Sequence, residues 1–135
     1  MSEHLTRFAD SEKITINLGP VDLGQIDLLV QEGFYSNRTD LIRTAIRTQL
    51  ATHGDVVRQT VARRTLVLGL QIYTRANLEA VRKAGEKLRI EVLGLVRIAD
   101  DVSPALAVET IESISVLGAL HASPAVKVAL AGRIH

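Results

Sequence analysis

The stretch Lys13–Leu18, KITINL, constrains this chain more than any other. Lys13, Thr15 and Asn17 alternate with Ile14, Ile16 and Leu18, so an extended segment here has one wet face and one dry face. A lone two-faced strand is not stable; it needs a partner strand and an apolar layer beneath it. No second strand of this kind follows within hairpin distance, because Gly19 and Pro20 end the extended run and open a helical pattern. The expected partner is therefore the same strand from a second copy of the protein.

The pattern after Pro20 supplies the apolar layer. Val21, Leu23, Ile26, Leu29 and Val30 recur at helical spacing, with Asp22 in the first turn and Gly33 as the stop. Ser36 or Asn37 then caps a second helix, with Asp40 three residues beyond Asn37 as in a capping box. Its stripe is Leu41, Ile42, Ala45, Ile46 and Leu50, with Arg43 and Arg47 on the polar flank; Asp40 is the expected ion partner of Arg43. Gly54 is a candidate stop; the alternative is a helix that runs on through VVRQTVARR, which holds no strong breaker. Strand, helix, tight turn and helix in about 45 residues is too small a unit to hold a core by itself. Two copies pairing their strands over four interlocked helices would be large enough.

KITINL, the Pro-initiated helix and the GFYSNRTDLIRTAIR segment together resemble the ribbon-helix-helix transcriptional regulators over residues 12–52. The resemblance implies a swapped dimer with a two-stranded antiparallel ribbon that enters the DNA major groove. It assigns base reading to Lys13, Thr15 and Asn17, whose chemistry suits guanine acceptors, the thymine methyl and adenine in turn. It assigns phosphate anchoring to Ser36, Asn37, Arg38 and Thr39, where a helix N-terminus favours an anion. Lys13 is the ribbon's single base and has Asp10 and Glu12 beside it. Non-specific attraction to DNA is therefore expected to be modest, which favours several dimers cooperating on one site.

The second half carries an internal repeat. LVLGLQIY, EVLGLVRI and SVLGALHA place Gly69, Gly94 and Gly118 at intervals of 25 and 24 residues. Each strand-like segment precedes a helix start, at Thr74, Ser103-Pro104 and Ser123-Pro124. The expectation is a small βαβαβα layer of parallel strands, preferred over a solenoid because the leucine-rich pattern with its Asn is absent. Three strands bury little and leave an edge open, so this half is expected to associate with its counterpart in another chain. The glycines are expected to mark a bulge or a close backbone approach. Neither Gly-x-Gly-x-x-Gly nor a Lys-Ser/Thr context makes them a phosphate loop.

Taken together, the fold class expected is α+β. The divisions are a flexible arm at 1–11, a DNA-binding unit at 12–54, a linker or helix extension at 55–65 and an α/β repeat unit at 66–135 that serves oligomerisation or senses a ligand. Arg58, Arg63 and Arg64 fall in the connecting stretch. Charge does not single out either half: 16 basic residues meet 15 acidic ones, divided almost evenly about residue 64. No cysteine is present, and His4, His53, His121 and His135 are scattered, so no catalytic residue, metal site or cofactor is expected. Asp100-Asp101 reads as a solvated loop. No apolar run approaches the roughly 18 residues of a membrane span, and the N-terminus lacks a signal-peptide core. The expected protein is a non-enzymatic, cytoplasmic, nucleoid-associated repressor of bacterial or archaeal type. Its partners are double-stranded DNA and itself, as a homodimer or higher oligomer. The rivals are an antitoxin with a toxin partner, disfavoured because toxin-wrapping tails are polar, and an assembly protein that uses the ribbon only to dimerise.

Overall fold

The computed structural model describes residues 11–135, so the arm expected at 1–11 lies, apart from Ser11, outside the described residues. The chain is a mixed helix-and-strand structure that divides into two compact units, with the division between residues 60 and 61.

In the first unit a segment without regular structure leads into α1 (Pro20–Gln31) and α2 (Arg38–Thr52), and α3 (Gly54–Arg64) follows and runs across the division. Pro20 sits in the first turn of α1, where its missing N–H is not needed. At the other end Gly33 adopts φ +85°. The Gly33 and Phe34 N–H groups turn back to the carbonyls of Val30 and Leu29, which closes the helix with a left-handed residue. Of the two alternatives at Gly54, helix beyond it is the one observed: after a break at His53, Gly54 begins α3, so the connecting stretch is helical.

The antiparallel ribbon expected over Lys13–Leu18 is not formed within the single chain. Residues 11–19 have no regular secondary structure and belong to no sheet, and the strands that do form among the described residues are parallel. The reason is stoichiometric: one chain carries one such segment, and a ribbon takes two. No residue from 11 to 60 is buried.

The second unit is a parallel sheet in consecutive order: β1 (Val67–Tyr73), β2 (Leu88–Ile98) and β3 (Ile111–His121). The connections are α4 (Arg75–Lys83) and α5 (Pro104–Thr110), and α6 (Pro124–Ala129) follows β3. Thr74, Ser103 and Ser123 each accept a backbone N–H with their side-chain oxygen and so start these helices. β2 and β3 begin three and four residues earlier than the repeat alone suggests, at Leu88 and Ile111. Leu78 of α4, Leu106 and Ala107 of α5 and Val126 of α6 pack with Ile90, Val92, Val96 and Ile98 of β2 and Ile114 of β3. Consecutive parallel strands with helical crossovers of one hand put every helix on one face, and the buried residues follow that rule. With strands in sequence order and repeats in register, the unit is built like a short solenoid with helices on one side.

The repeat glycines lie side by side, Gly69 with Gly94 and Gly94 with Gly118. Gly94 has φ +141°, and a Cβ there would sit 2.1 Å from the Gly69 carbonyl oxygen. No side chain fits, because the neighbouring strand's backbone occupies that space. At the far edge Arg133 donates to the carbonyl oxygens of Val108 and Ile111, where α5 passes into β3 without a loop. The guanidinium satisfies carbonyls that the abrupt helix end leaves open.

Candidate nucleic-acid interface

Lys13, Thr15 and Asn17 are all exposed on the segment before α1. Their apolar alternates are exposed too: Ile14 at 75%, Ile16 at 58% and Leu18 at 36% of full accessibility. Cover increases toward α1, and an open hollow of about 310 Å³ lies beside it, lined by Leu18, Ile26, Leu29 and Leu41 together with Asp22 and Gln25. Val21, Leu28, Phe34, Ile46 and Leu50 also face outward in this unit. Two helices and a preceding irregular segment with this much uncovered apolar surface are an incomplete core.

The turn between α1 and α2 brings Ser36, Asn37, Arg38 and Thr39 together at one helix N-terminus. Asn37 is the cap, and its side-chain oxygen accepts from the Asp40 N–H at 2.8 Å. The Asp40 carboxylate accepts from the Ser36 N–H at 3.0 Å, one residue earlier than a strict capping box would use. The cap thereby engages the N–H groups of Ser36 and Asp40. Arg38 and Thr39 lie between them in the first turn, where backbone N–H groups have no carbonyl four residues back within the helix.

Arg38 differs most from its assigned role. Its Nε and Nη2 donate to the two carboxylate oxygens of Asp27, both at 2.8 Å, in a bidentate pair that ties α2 to α1. The Arg38 guanidinium hydrogen-bonded to Asp27 holds that carboxyl below its ordinary value, and the Asp27 carboxylate raises Arg38 in return. Asp27 is the residue that sequence reasoning missed. It sits 11 residues before Arg38, beyond any intrahelical spacing, and only the turn brings the two together. The signal available was an acid on the polar flank of one helix and a base at the start of the next.

The remaining sequence candidates stay apart. Arg43 and Arg47 are exposed along α2, and Arg63 and Arg64 are exposed in the last turn of α3. In the second unit the Asp101 carboxylate accepts from the Arg75 N–H at the start of α4. His121 is half-buried at the end of β3. Among the described residues no three His, Cys, Asp or Glu side chains are grouped to hold a metal ion. No helix among them is long and apolar enough to cross a membrane.

A family model for the ribbon-helix-helix transcriptional regulators matches residues 9–127. The chain belongs to that family. The match runs well past the resemblance seen over 12–52 and takes in the three-strand repeat, so the second unit is part of the family's pattern. No curated protein and no solved structure matches the chain. Membership places the protein among DNA-binding transcriptional regulators.

Proposed function

We infer that the protein is a sequence-specific repressor acting as a homodimer. In this reading the Lys13–Leu18 segments of two chains pair as an antiparallel ribbon. Ile14, Ile16 and Leu18 turn inward over four helices, and the partner's apolar residues fill the hollow lined by Leu18, Ile26, Leu29 and Leu41. Lys13, Thr15 and Asn17 then project together from the opposite face and read base edges in the major groove. The observation that carries the reading is the combination in one unit of an exposed polar triad, an exposed apolar triad alternating with it and no buried residue at all. A second copy resolves all three at once.

The start of α2 positions the ribbon by holding a phosphate. The Arg38 and Thr39 N–H groups and the Ser36 and Thr39 hydroxyls supply donors, and Asn37 keeps the helix end in shape. Arg38 contributes through its backbone and through the clasp to Asp27, which sets the angle at which α2 meets DNA. With one lysine per strand, the grip of a single dimer is modest. The second unit supplies the remainder by joining dimers, so that several ribbons engage one operator. The protein works in the cytoplasm on the nucleoid and needs no cofactor. A toxin-neutralising role fits less well, because the second unit carries a core of its own and is not a tail that folds on a partner.

The test is selection of bound genomic duplexes by the full-length chain and by the triple variant Lys13→Ala, Thr15→Ala, Asn17→Ala. Each lost base contact costs about 1–3 kcal/mol of discrimination, so the variant is expected to lose its preferred sequence while keeping its mass and its melting temperature. A triple variant that still footprints the same operator removes the ribbon as the reader.

A further inference from the structure

Positive charge is concentrated in one stretch of this chain. From Arg38 to Arg64 six bases meet two acids, whereas the rest of the chain carries ten bases and thirteen acids. Most of these arginines are accounted for. Arg38 is bound by Asp27 and Arg58 by Asp55. Arg63 and Arg64 stand in the last turn of α3, where the helix dipole favours a cation. Arg43 and Arg47 of α2 are exposed, and among the described residues neither makes an ion pair or a hydrogen bond. The ion pair expected between Asp40 and Arg43 is not formed; the Asp40 carboxylate instead accepts from the Ser36 N–H.

We propose that the Arg43 guanidinium docks on a phosphate of the duplex backbone at the start of α2, as the side-chain cation that Arg38 does not supply. The inference rests on the phosphate-holding role given above to the start of α2 and names the charge that completes it. Position and reach single this residue out. Arg43 follows Thr39 and Asp40 by four and three residues, so the three share one strip of the helix. Helical side chains lean toward the N-terminus of their own helix, so a long stem at Arg43 reaches back over Thr39 to the donors there. Along the axis Arg43 lies about 7.5 Å from Arg38, and Arg47 about 13.5 Å. Only the first is within reach of the helix start.

Charge explains why such a cation is needed. Asp40 sets a carboxylate beside the donors of the helix start, and a phosphate bound there meets its repulsion. The N–H groups and the helix dipole would have to offset that alone. Arg38 cannot help, because its Nε and Nη2 are given to Asp27, both at 2.8 Å. Arg43 is the nearest base along α2 that is not already engaged. Its planar guanidinium offers paired donors that match two oxygens of one phosphate. Arg38 thus fixes one helix to the other, and Arg43 fixes the helix to the duplex.

The experiment measures the affinity of the full chain against salt, on a random-sequence duplex and on a duplex recovered by genomic selection. A dimer carries two copies of Arg43, so Arg43→Ala is expected to reduce the slope of log affinity against log salt by about 1.8. The unmodified chain's advantage over the variant then shrinks about twelvefold between about 50 and 200 mM salt. The loss is expected to be alike on both duplexes, because a phosphate contact carries no sequence, and mass and melting temperature should stay as they are. Arg43→Lys is expected to keep the slope. Arg47→Ala, the same loss of charge farther from the helix start, is expected to keep it too. Arg43→Gln stands in for an alanine variant that melts early. An unchanged slope in Arg43→Ala overturns the proposal, and so does an equal fall in Arg47→Ala, the mark of a general positive field. An Arg43→Ala protein of lower mass overturns it as well, since that marks an ion pair between subunits. Failure of the DNA-binding reading is separate: the unmodified chain then holds neither duplex, whereas binding with a slope indifferent to Arg43 sinks this inference alone.

Discussion

The two units of this chain solve the problem of burial in opposite ways. Among the described residues, 61–135 hold all thirteen of the buried apolar residues, from Leu66 to Leu130, and the buried Thr110 hydroxyl donates to the Leu106 carbonyl. Residues 11–60 have helices of 12 and 15 residues but nothing buried. Local signals are strong in both. The difference is that in-register repeats bury their own faces by stacking along one chain, whereas an irregular segment and two helices have too little within one chain to stack on. Secondary structure is therefore no measure of which unit is self-sufficient.

Ile16→Asp should break the comparison most sharply. A charge beneath the proposed ribbon costs several kcal/mol or more, so the first unit should dissociate or melt while the second keeps its own transition, as two-phase thermal unfolding would record. An Ile16→Asp protein with native mass and a single unchanged transition would mean the strand is not packed as argued. Gly94→Ala attacks the other unit. Strain at φ +141° and overlap with the Gly69 carbonyl together should cost at least about 3 kcal/mol. Gly69→Ala should cost less, since that position has φ +123° but open space around it. Equal melting losses at the two positions would show that backbone strain alone, not the close approach, selects glycine.

A smaller effect lies at the end of α3. Thr65 takes φ +55°, in the left-handed region, and the N–H groups of Thr65 and Leu66 return to the carbonyls of Ala62 and Val61 just as at Gly33. A β-branched residue is strained there, and Thr65→Gly should stabilise the protein by about 0.5–1 kcal/mol, read as a higher melting temperature. The smallest effect concerns acid. Asp27 has a folded value depressed below its ordinary 3.8, so the clasp to Arg38 contributes above that pH and is lost as pH falls through the folded value. The first unit should loosen below about pH 4. Asp27→Asn should flatten that acid limb of the stability profile, and an unchanged limb would show that the exposed pair contributes little.

Much of this was legible in residue order. Pro20, Gly33 and Asn37 announced the bounds of α1 and α2 through local geometry that needs no distant partner, and Ser103-Pro104 and Ser123-Pro124 did the same for α5 and α6. Gly54 left both alternatives open because a glycine can begin a helix as well as end one, and the break at His53 did the separating. The early starts of β2 and β3 were hidden because Leu88, Arg89, Glu112 and Ser113 are not a repeated pattern; register with neighbouring strands extends the pairing there, across an irregularity at Leu88/Arg89. Asp27 was hidden for a related reason: its meaning depends on where a turn points.

By itself the sequence determined the alternation at Lys13–Leu18, the helix stripes and the glycine period, because each depends on residues close in the chain. Only the tertiary structure decided that the glycines stack with a carbonyl in place of a side chain, that Arg38 is clasped by Asp27, and that the helices α4, α5 and α6 gather on one face of the sheet. Those outcomes depend on which backbone lies beside which, and no spacing along the chain encodes it.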